Sequence, residues 1–174
     1  SGTSFTFCNL TSVQLQNATL TKVSIHEGTV NDTDLENALL DRCIITSSLN
    51  RVNLNGASMQ SAHLTLEANT LQLQLTQLNE AFISNSTFTD IDGQGAELER
   101  VTISNGNLER CDLTNANLQR IIVGETTFTN CNFTNGNLHD AVVTNSHFIQ
   151  CDFTECDLTN VNLQDCTLDE CVFT

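Results

Sequence analysis

The sequence lacks proline, tryptophan and tyrosine, and only six of its 174 residues are lysine or arginine, against 21 aspartates and glutamates. The net charge of −15 argues against direct binding to nucleic acids or anionic membranes, because that binding needs clustered lysine and arginine. No segment approaches the run of about 20 apolar residues that a membrane-spanning helix requires. The absence of proline is unusual for a loop-rich chain, since proline presets turns. The length suits one or two domains and is enough for a hydrophobic core.

A repeat of five residues runs through almost the whole sequence. Marking every fifth residue gives nine positions in residues 5–45, four in residues 49–64 and twenty-one in residues 73–173, and only Gly93 among them lacks a large apolar side chain. With 39% apolar residues overall, chance would fill only about 13 of these positions. The repeat is therefore a structural signal that decides the fold.

The residue two places before each marked position is nearly always small, and it exceeds valine in size only at Leu71, Ile91 and Ile121. A period of five fits neither an α-helix nor a flat strand. It fits a chain that turns a corner every five residues and points one large and one small side chain inward each time. Four such turns close a square coil of about twenty residues, and successive coils stack at about 4.8 Å, the strand spacing.

The twenty-residue spacing predicts which side chains stack on one another. One predicted column begins at Leu113 and continues through the phenylalanines that follow at intervals of twenty: Phe133, Phe153 and Phe173. A second column begins at Phe88 and Leu108 and continues through Phe128 and Phe148. Ile91 precedes Gly93 by two residues, which indicates that a larger neighbour compensates for the missing side chain.

Typical quintets read Cys111-Asp112-Leu113-Thr114-Asn115, Ala116-Asn117-Leu118-Gln119-Arg120 and Cys156-Asp157-Leu158-Thr159-Asn160. This pattern resembles that of the pentapeptide-repeat proteins, and the resemblance covers essentially the whole chain. It implies an all-β fold, the right-handed quadrilateral parallel β-helix. Counting the quintets gives 35 turns, or almost nine coils, and a rod of about 40 Å. Residues 1–174 are therefore predicted to form a single β-helix.

The period slips by one residue at two places, near residues 46–48 and within residues 65–72. Five leucines crowd the second slip and leave its register ambiguous. A bulge or kink is the preferred interpretation, because bulges absorb single-residue changes of register. A protruding functional loop is the alternative, although a one-residue deletion leaves little chain for it.

The eight cysteines all occupy the small inward slot, which predicts buried thiols that act as small hydrophobic side chains. Stacked in-register thiols are poorly oriented for disulfides; a metal ladder or a redox site is the alternative. Unpaired thiols and the lack of a signal peptide predict a reducing, cytoplasmic location.

The four histidines are expected to point outward, and no motif for nucleophilic catalysis or phosphate binding appears. We therefore expect no enzyme activity, no cofactor and no metal.

The negative charge is concentrated in the second part of the chain. Residues 1–72 hold six acids and three bases, whereas residues 73–174 hold fifteen acids and three bases. The family that the repeat resembles includes bacterial quinolone-resistance proteins that look like duplex DNA and bind DNA gyrase, so a DNA mimic is one hypothesis. A charge of −15 over about 40 Å is one per about 2.7 Å, whereas the duplex carries one per about 1.7 Å. General solubility explains the same charge more simply.

Outward positions on one face of the C-terminal part predict an apolar stripe that consists of Phe82, Thr102, Ile122, Val142 and Asn162. Such a stripe marks a partner or dimer surface, although β-branched residues also simply suit strands. Together with acids in the C-terminal part, the candidate interaction residues are Phe82, Ile122, Val142, Asp140, Asp152, Glu155, Asp157 and Phe173.

The repeat continues to Phe173 and Thr174 without a polar cap. Repeat rods need such caps, because an open end exposes core and strand edges. Either an end-to-end homodimer through the C-terminal coil or a longer protein would cover this end. The sequence as a whole predicts a non-catalytic acidic rod that serves as a protein–protein interaction scaffold or spacer, with a gyrase-binding DNA mimic as the alternative.

Overall fold

The computed structural model describes residues 3–174, and within that range the regular structure consists of fifteen strands without a helix. The strands are β1 (Ser4–Thr6), β2 (Asn9–Thr11), β3 (Ser24–Asn31), β4 (Ile44–Asn50), β5 (His63–Asn69), β6 (Phe82–Ser84), β7 (Thr87–Thr89), β8 (Thr102–Ser104), β9 (Asn107–Glu109), β10 (Ile122–Gly124), β11 (Thr127–Thr129), β12 (Val142–Thr144), β13 (His147–Ile149), β14 (Asn162–Gln164) and β15 (Thr167–Asp169).

All strand pairs are parallel, and each strand pairs with the one about twenty residues away, as in Ile122 with Val142. Face 1 of the resulting coil consists of β1, the first halves of β3, β4 and β5, and then β6, β8, β10, β12 and β14. Face 2 consists of β2, the second halves of β3, β4 and β5, and then β7, β9, β11, β13 and β15.

Two further faces are held by single parallel bridges rather than by full strands. Face 3 contains the bridge residues from Gln14 to Val172, and face 4 contains those from Thr19 to Asp157. Nine levels on each of the first three faces and eight on the fourth make eight complete coils and three sides of a ninth. The prediction of a four-sided parallel β-helix with almost nine coils is therefore confirmed.

Each corner of the coil depends on one residue in the left-handed region. From Phe7 to Glu170 these corner residues follow at intervals of five, except for intervals of nine from Arg42 to Arg51 and from Ser61 to Thr70, with φ between 48° and 65°, and only Gly56 and Gly95 among them are glycines. The others are L-residues, many of them asparagine or aspartate, which tolerate this region best. At the corner around Asn115, the Ala116 amide donates to the Leu113 carbonyl at 3.0 Å, as in a type II turn, whose third position requires positive φ. Hydrogen bonds to the next coil, such as Asn115 N to Thr134 O at 2.9 Å, hold this conformation.

The core consists of the inward columns that the repeat predicts. The rings of Phe133 and Phe153 stack with centroids 4.9 Å apart and planes 2° apart, and Phe153 stacks on Phe173 at 5.1 Å. Phe128 stacks on Phe148 in the neighbouring column at 4.8 Å, and the two columns meet edge to face. Both predicted phenylalanine columns are confirmed. A Cβ on Gly93 would lie 3.0 Å from a methyl group of Leu113, so the next coil also fills the gap beside Ile91.

Two coils are each one residue shorter than their neighbours. In β4 the register against β3 shifts between His26 and Thr29, and in β5 the offset to the next coil changes between Leu64 and Glu67. The corner residue is missing in both, so β4 and β5 run straight through seven residues. Ser47 and Leu66 point inward there and are buried. Residues 63–69 thus form a strand.

We predict that Phe133→Ala lowers the free energy of unfolding by about 3–5 kcal/mol, because it removes a fully enclosed ring from a stacked column. Urea denaturation followed by far-ultraviolet circular dichroism measures the loss. Phe173→Ala is the matched control, since that ring is 50% exposed and should cost less than half as much. Equal losses for the two variants would contradict the packing described.

Candidate interaction surfaces

The first outward position of each face-1 strand forms one continuous column. The pairing register places Phe82, Ile122 and Val142 in that column with Thr102 and Asn162, as the spacing predicts. Phe82 is 50% exposed, Ile122 52% and Val142 37%. The three candidate apolar residues therefore lie on one face and in contact with solvent; their role in binding stays a prediction.

The structure extends this column by two residues that sequence reasoning missed. Ile44 pairs in register with His63, and His63 with Phe82. Ile44 is 41% exposed, and the ring of His63 lies 5.0 Å from that of Phe82. The twenty-residue projection fails here because the two shortened coils advance by nineteen; an offset of nineteen across each slip would have found both residues. The apolar stripe hereafter consists of Ile44, His63, Phe82, Thr102, Ile122 and Val142.

The second outward column of face 1 contains small side chains beside the stripe. Each of these residues lies two positions after a stripe residue in the same strand: Thr46, Thr65, Ser84, Ser104, Gly124 and Thr144. Neither column contains aspartate, glutamate, lysine or arginine in the described residues, from Ser4 to Gln164. Face 1 is therefore the uncharged side of a strongly acidic molecule, with a bulky half and a small half.

The two corners that border face 1 carry opposite charges. Four of the six bases occupy the corner that precedes the face-1 strands, Lys22, Arg42, Arg100 and Arg120, together with the acids Glu80 and Asp140. The corner that follows these strands carries Glu27, Glu125 and Asp165. Arg120 makes only long ion pairs within the chain, 3.6 Å to Asp140 and 3.8 Å to Glu99, and all three side chains are substantially exposed. Such pairs contribute little to stability, so Arg120 can exchange them for a contact with another molecule at little cost.

The remaining candidate residues do not join the stripe. Asp140 lies at the basic corner, where it is 3.6 Å from Arg120 and 3.3 Å from His139. Asp152 lies on face 3 and Asp157 on face 4, and Glu155 occupies the exposed corner between them. These last three residues therefore form one acidic edge near the C-terminal end.

Asp152 and Asp157 also have a structural role. Each accepts a hydrogen bond from the backbone amide two residues later, at 2.8 Å from Thr154 and at 2.9 Å from Thr159. Hydrogen bonds to Thr154 and Thr159 lower the pKa values of these carboxyl groups. On face 3 the same bond is made by Asp34, Asp112 and also by the neutral Asn53 and Asn132, so charge is not needed for it.

Phe173 lies at the C-terminal end of an inward column rather than on a side face. It lines a cavity of about 220 Å³ that is open at the end of the coil, together with Phe153 and with Leu158, Leu163 and Leu168, which are 37–45% exposed. This end surface is apolar and distinct from face 1.

The cysteines occupy the inward slot as predicted. Cys43, Cys111, Cys131 and Cys151 are buried, the other four are half-buried, and all eight are free thiols. Their sulfurs donate to carbonyl groups of the coil, as Cys131 does to Leu108 at 3.4 Å. Within residues 3–174, no cluster of three or more histidine, cysteine, aspartate or glutamate side chains is arranged to hold a metal ion.

The buried thiols predict a loss of stability in alkaline solution. Burial raises the pKa of Cys43 to about 12 and that of Cys156 to about 11, and contact with Cys111 raises that of Cys131 to about 12, from an ordinary 9.0. The unfolded chain therefore releases these protons more easily, so stability holds below about pH 9 and falls as the pH rises toward 12. Tyrosine is absent and the chain has one lysine, so few other groups titrate there.

We expect a lower urea midpoint at pH 10.5 than at pH 7.5. Cys43→Ala with Cys131→Ala should reduce that pH-dependent difference. An unchanged midpoint in the native sequence would contradict the burial of the thiols.

Within the part of the chain that the structure describes, no helix has the length and hydropathy to cross a bilayer. Two protein-family models match the sequence: "Pentapeptide repeat region" over residues 101–173 and "Pentapeptide repeats (8 copies)" over residues 1–37. No curated protein matches it.

Three solved structures illustrate the likeness of the fold. Trypsin-treated QnrB1, a plasmid-mediated fluoroquinolone resistance protein, matches with a TM-score of 0.63 at 15% identity, over 97% of this chain and 92% of that one. HetL from Nostoc sp. strain PCC 7120, involved in heterocyst differentiation regulation, matches with 0.50 at 17% identity, over 98% and 89%. A protein from the Arabidopsis thaliana thylakoid lumen matches with 0.50 at 17% identity, over 52% and 64%. At these identities the matches show a shared fold.

Proposed function

Because the chain belongs to the pentapeptide-repeat family, we propose that it acts as a non-catalytic, rigid scaffold that contacts other protein molecules through face 1. The observation that carries this proposal is the apolar stripe, six residues in one column, four of them apolar, on a face that contains no aspartate, glutamate, lysine or arginine between Ser4 and Gln164. The stripe is about 24 Å long at a spacing of about 4.8 Å per coil. Exposed apolar patches of this kind are typical of protein-interaction sites.

The stacking of the coils supports a scaffold role. Every coil is joined to its neighbours by backbone hydrogen bonds on four sides, and the core columns continue from coil to coil. A repeat structure of this kind keeps its surface residues at fixed spacing. The stripe therefore presents a flat, preorganised surface, which lowers the entropic cost of binding.

The test compares protein captured from the native host by the native chain and by Ile122→Asp with Val142→Asp, together with self-association of the purified chain. We expect the double variant to lose a specific protein contact, because the carboxylates would be desolvated at the interface. Leu39→Asp is the matched control, since Leu39 is 46% exposed in a strand-like position on face 4. If neither capture nor self-association differs among the three proteins, the proposal is wrong.

A DNA mimic that binds gyrase is the second candidate, and one observation favours it. The outward positions of faces 3 and 4 carry nine acids and no base: Asp34, Glu36, Asp41, Asp92, Glu97, Glu99, Asp112, Asp152 and Asp157. Nine charges over about 38 Å make one per about 4 Å, less than half the density of duplex DNA. The lower density ranks this function second.

A gyrase supercoiling assay with and without quinolone tests the second candidate. If it is correct, micromolar protein changes gyrase activity, and Asp92→Asn with Asp112→Asn and Asp152→Asn weakens the effect. This triple variant should fold, because Asn53 and Asn132 already make the same backbone contact on face 3. No effect of the native protein would exclude the candidate.

Two further parts of the proposal concern assembly and location. An end-to-end homodimer through the C-terminal coil is supported by the exposed apolar side chains around Phe173. A cytoplasmic location is supported by the eight free thiols.

A further inference from the structure

We propose that the occupant of face 1 is a second copy of this chain, with the two rods side by side and pointing in the same direction. The two-fold axis lies between the rods and parallel to them. This inference rests on the proposed function, since it takes face 1 as a protein-contact surface and names the partner. It rests on the distribution of charge and side-chain size around face 1.

The distribution of charge favours face 1 as the side of the rod on which two copies meet. The chain carries a net charge of −15, and the outward positions of faces 2, 3 and 4 all include acids. Two copies that met through faces 3 or 4 would bring carboxylates together without a base. In the described residues, face 1 contains no aspartate, glutamate, lysine or arginine, so a second copy can lie against it without that repulsion.

Side-chain size fixes which way the second copy points. With a two-fold axis parallel to the rods, each coil lies opposite the same coil of the second copy. The first outward column of face 1 then faces the second outward column of the other copy. Phe82 then lies opposite Ser84 of the second copy, and Ile122 opposite Gly124. Bulky side chains thus meet small ones along the length of the stripe, which gives a close-packed interface.

The charged corners agree with the same arrangement. The axis places the corner before each face-1 strand opposite the corner after that strand in the second copy. Lys22 therefore faces Glu27, and Arg120 faces Glu125, each pair occurring twice. At the heights of Glu80, Arg100 and Asp140 the opposite residue is an asparagine, so no like charges meet.

A fully overlapped antiparallel pair fits less well. It would place Arg42 opposite Arg120 of the second copy, and Glu80 opposite Glu80 of the second copy. Both contacts bring like charges together. It would also place the bulky column on itself, with Phe82 against Phe82, and leave the small columns facing across a gap. Both effects weaken an interface.

The size of the interface predicts a weak dimer. A face about 10 Å wide and about 38 Å long has an area of about 400 Å² per chain, and side chains at the corners add to it. A total of about 1,000 Å² is at the low end for specific interfaces, so we expect a dissociation constant in the micromolar range.

Sedimentation equilibrium of the purified chain at up to about 500 µM tests the proposal, because this range brackets a micromolar dissociation constant. We expect a monomer–dimer equilibrium in which Ile122→Asp raises the dissociation constant at least about tenfold, whereas Leu39→Asp leaves it unchanged. Phe82→Ser is a second variant, with circular dichroism to verify that each variant is folded. A monomer at all concentrations would overturn the proposal, and so would a dimer that only Phe173→Asp dissociates.

A charge exchange tests the direction of the two rods. Lys22→Glu and Glu27→Lys should each weaken the dimer, and the combined variant should restore it, because the pair re-forms with reversed signs. Both residues occupy exposed corner positions, where lysine and glutamate already adopt positive φ. Absence of restoration would overturn the parallel arrangement. If the chain is monomeric while Ile122→Asp with Val142→Asp still abolishes capture of another protein, this inference fails and the proposed function stands.

Discussion

Each coil pairs with the next through parallel backbone hydrogen bonds, and this pairing constrains every other feature of the fold. A regular coil of twenty residues has a corner every five residues, and each corner contains a residue with positive φ. Most corner residues are not glycine, so their conformation is held by bonds such as Arg120 N to His139 O at 2.9 Å. The local conformation and the stacking of coils therefore stabilise each other, and neither would persist alone.

The same constraint explains how the fold tolerates two deletions. In β4 and β5 the corner between faces 1 and 2 is absent, and the strand continues straight so that Ser47 or Leu66 fills the small inward slot of face 2. The two shortened coils are adjacent and pair with each other without a shift over seven residues. Where these coils pair with the regular coils on either side, the pairing offset changes by one residue within the strand. The ladder of backbone hydrogen bonds therefore continues through the irregular region.

Stacking also decides the character of the surface. Residues nineteen or twenty apart become neighbours at about 4.8 Å, so a bias at one repeat position becomes a continuous column. On face 1 this bias produces an uncharged surface with a bulky and a small half, and on faces 3 and 4 it produces acids without bases. The acids of face 3 are also turn residues, in positions where asparagine serves equally well. Their charge can therefore vary without loss of this hydrogen bond.

The period, the inward columns and the four-sided coil could be predicted from the sequence, because a large apolar residue and a small residue recur in each quintet at positions that fit a chain turning a corner every five residues. The sequence also placed Phe82, Ile122 and Val142 in one column, where the offset is a regular twenty. The pairing of the shortened coils, and with it the extension of the stripe by Ile44 and His63, became visible in the three-dimensional structure. The reason is physical: a one-residue deletion can be absorbed at any nearby corner, and packing against the coils on either side selects which corner is lost.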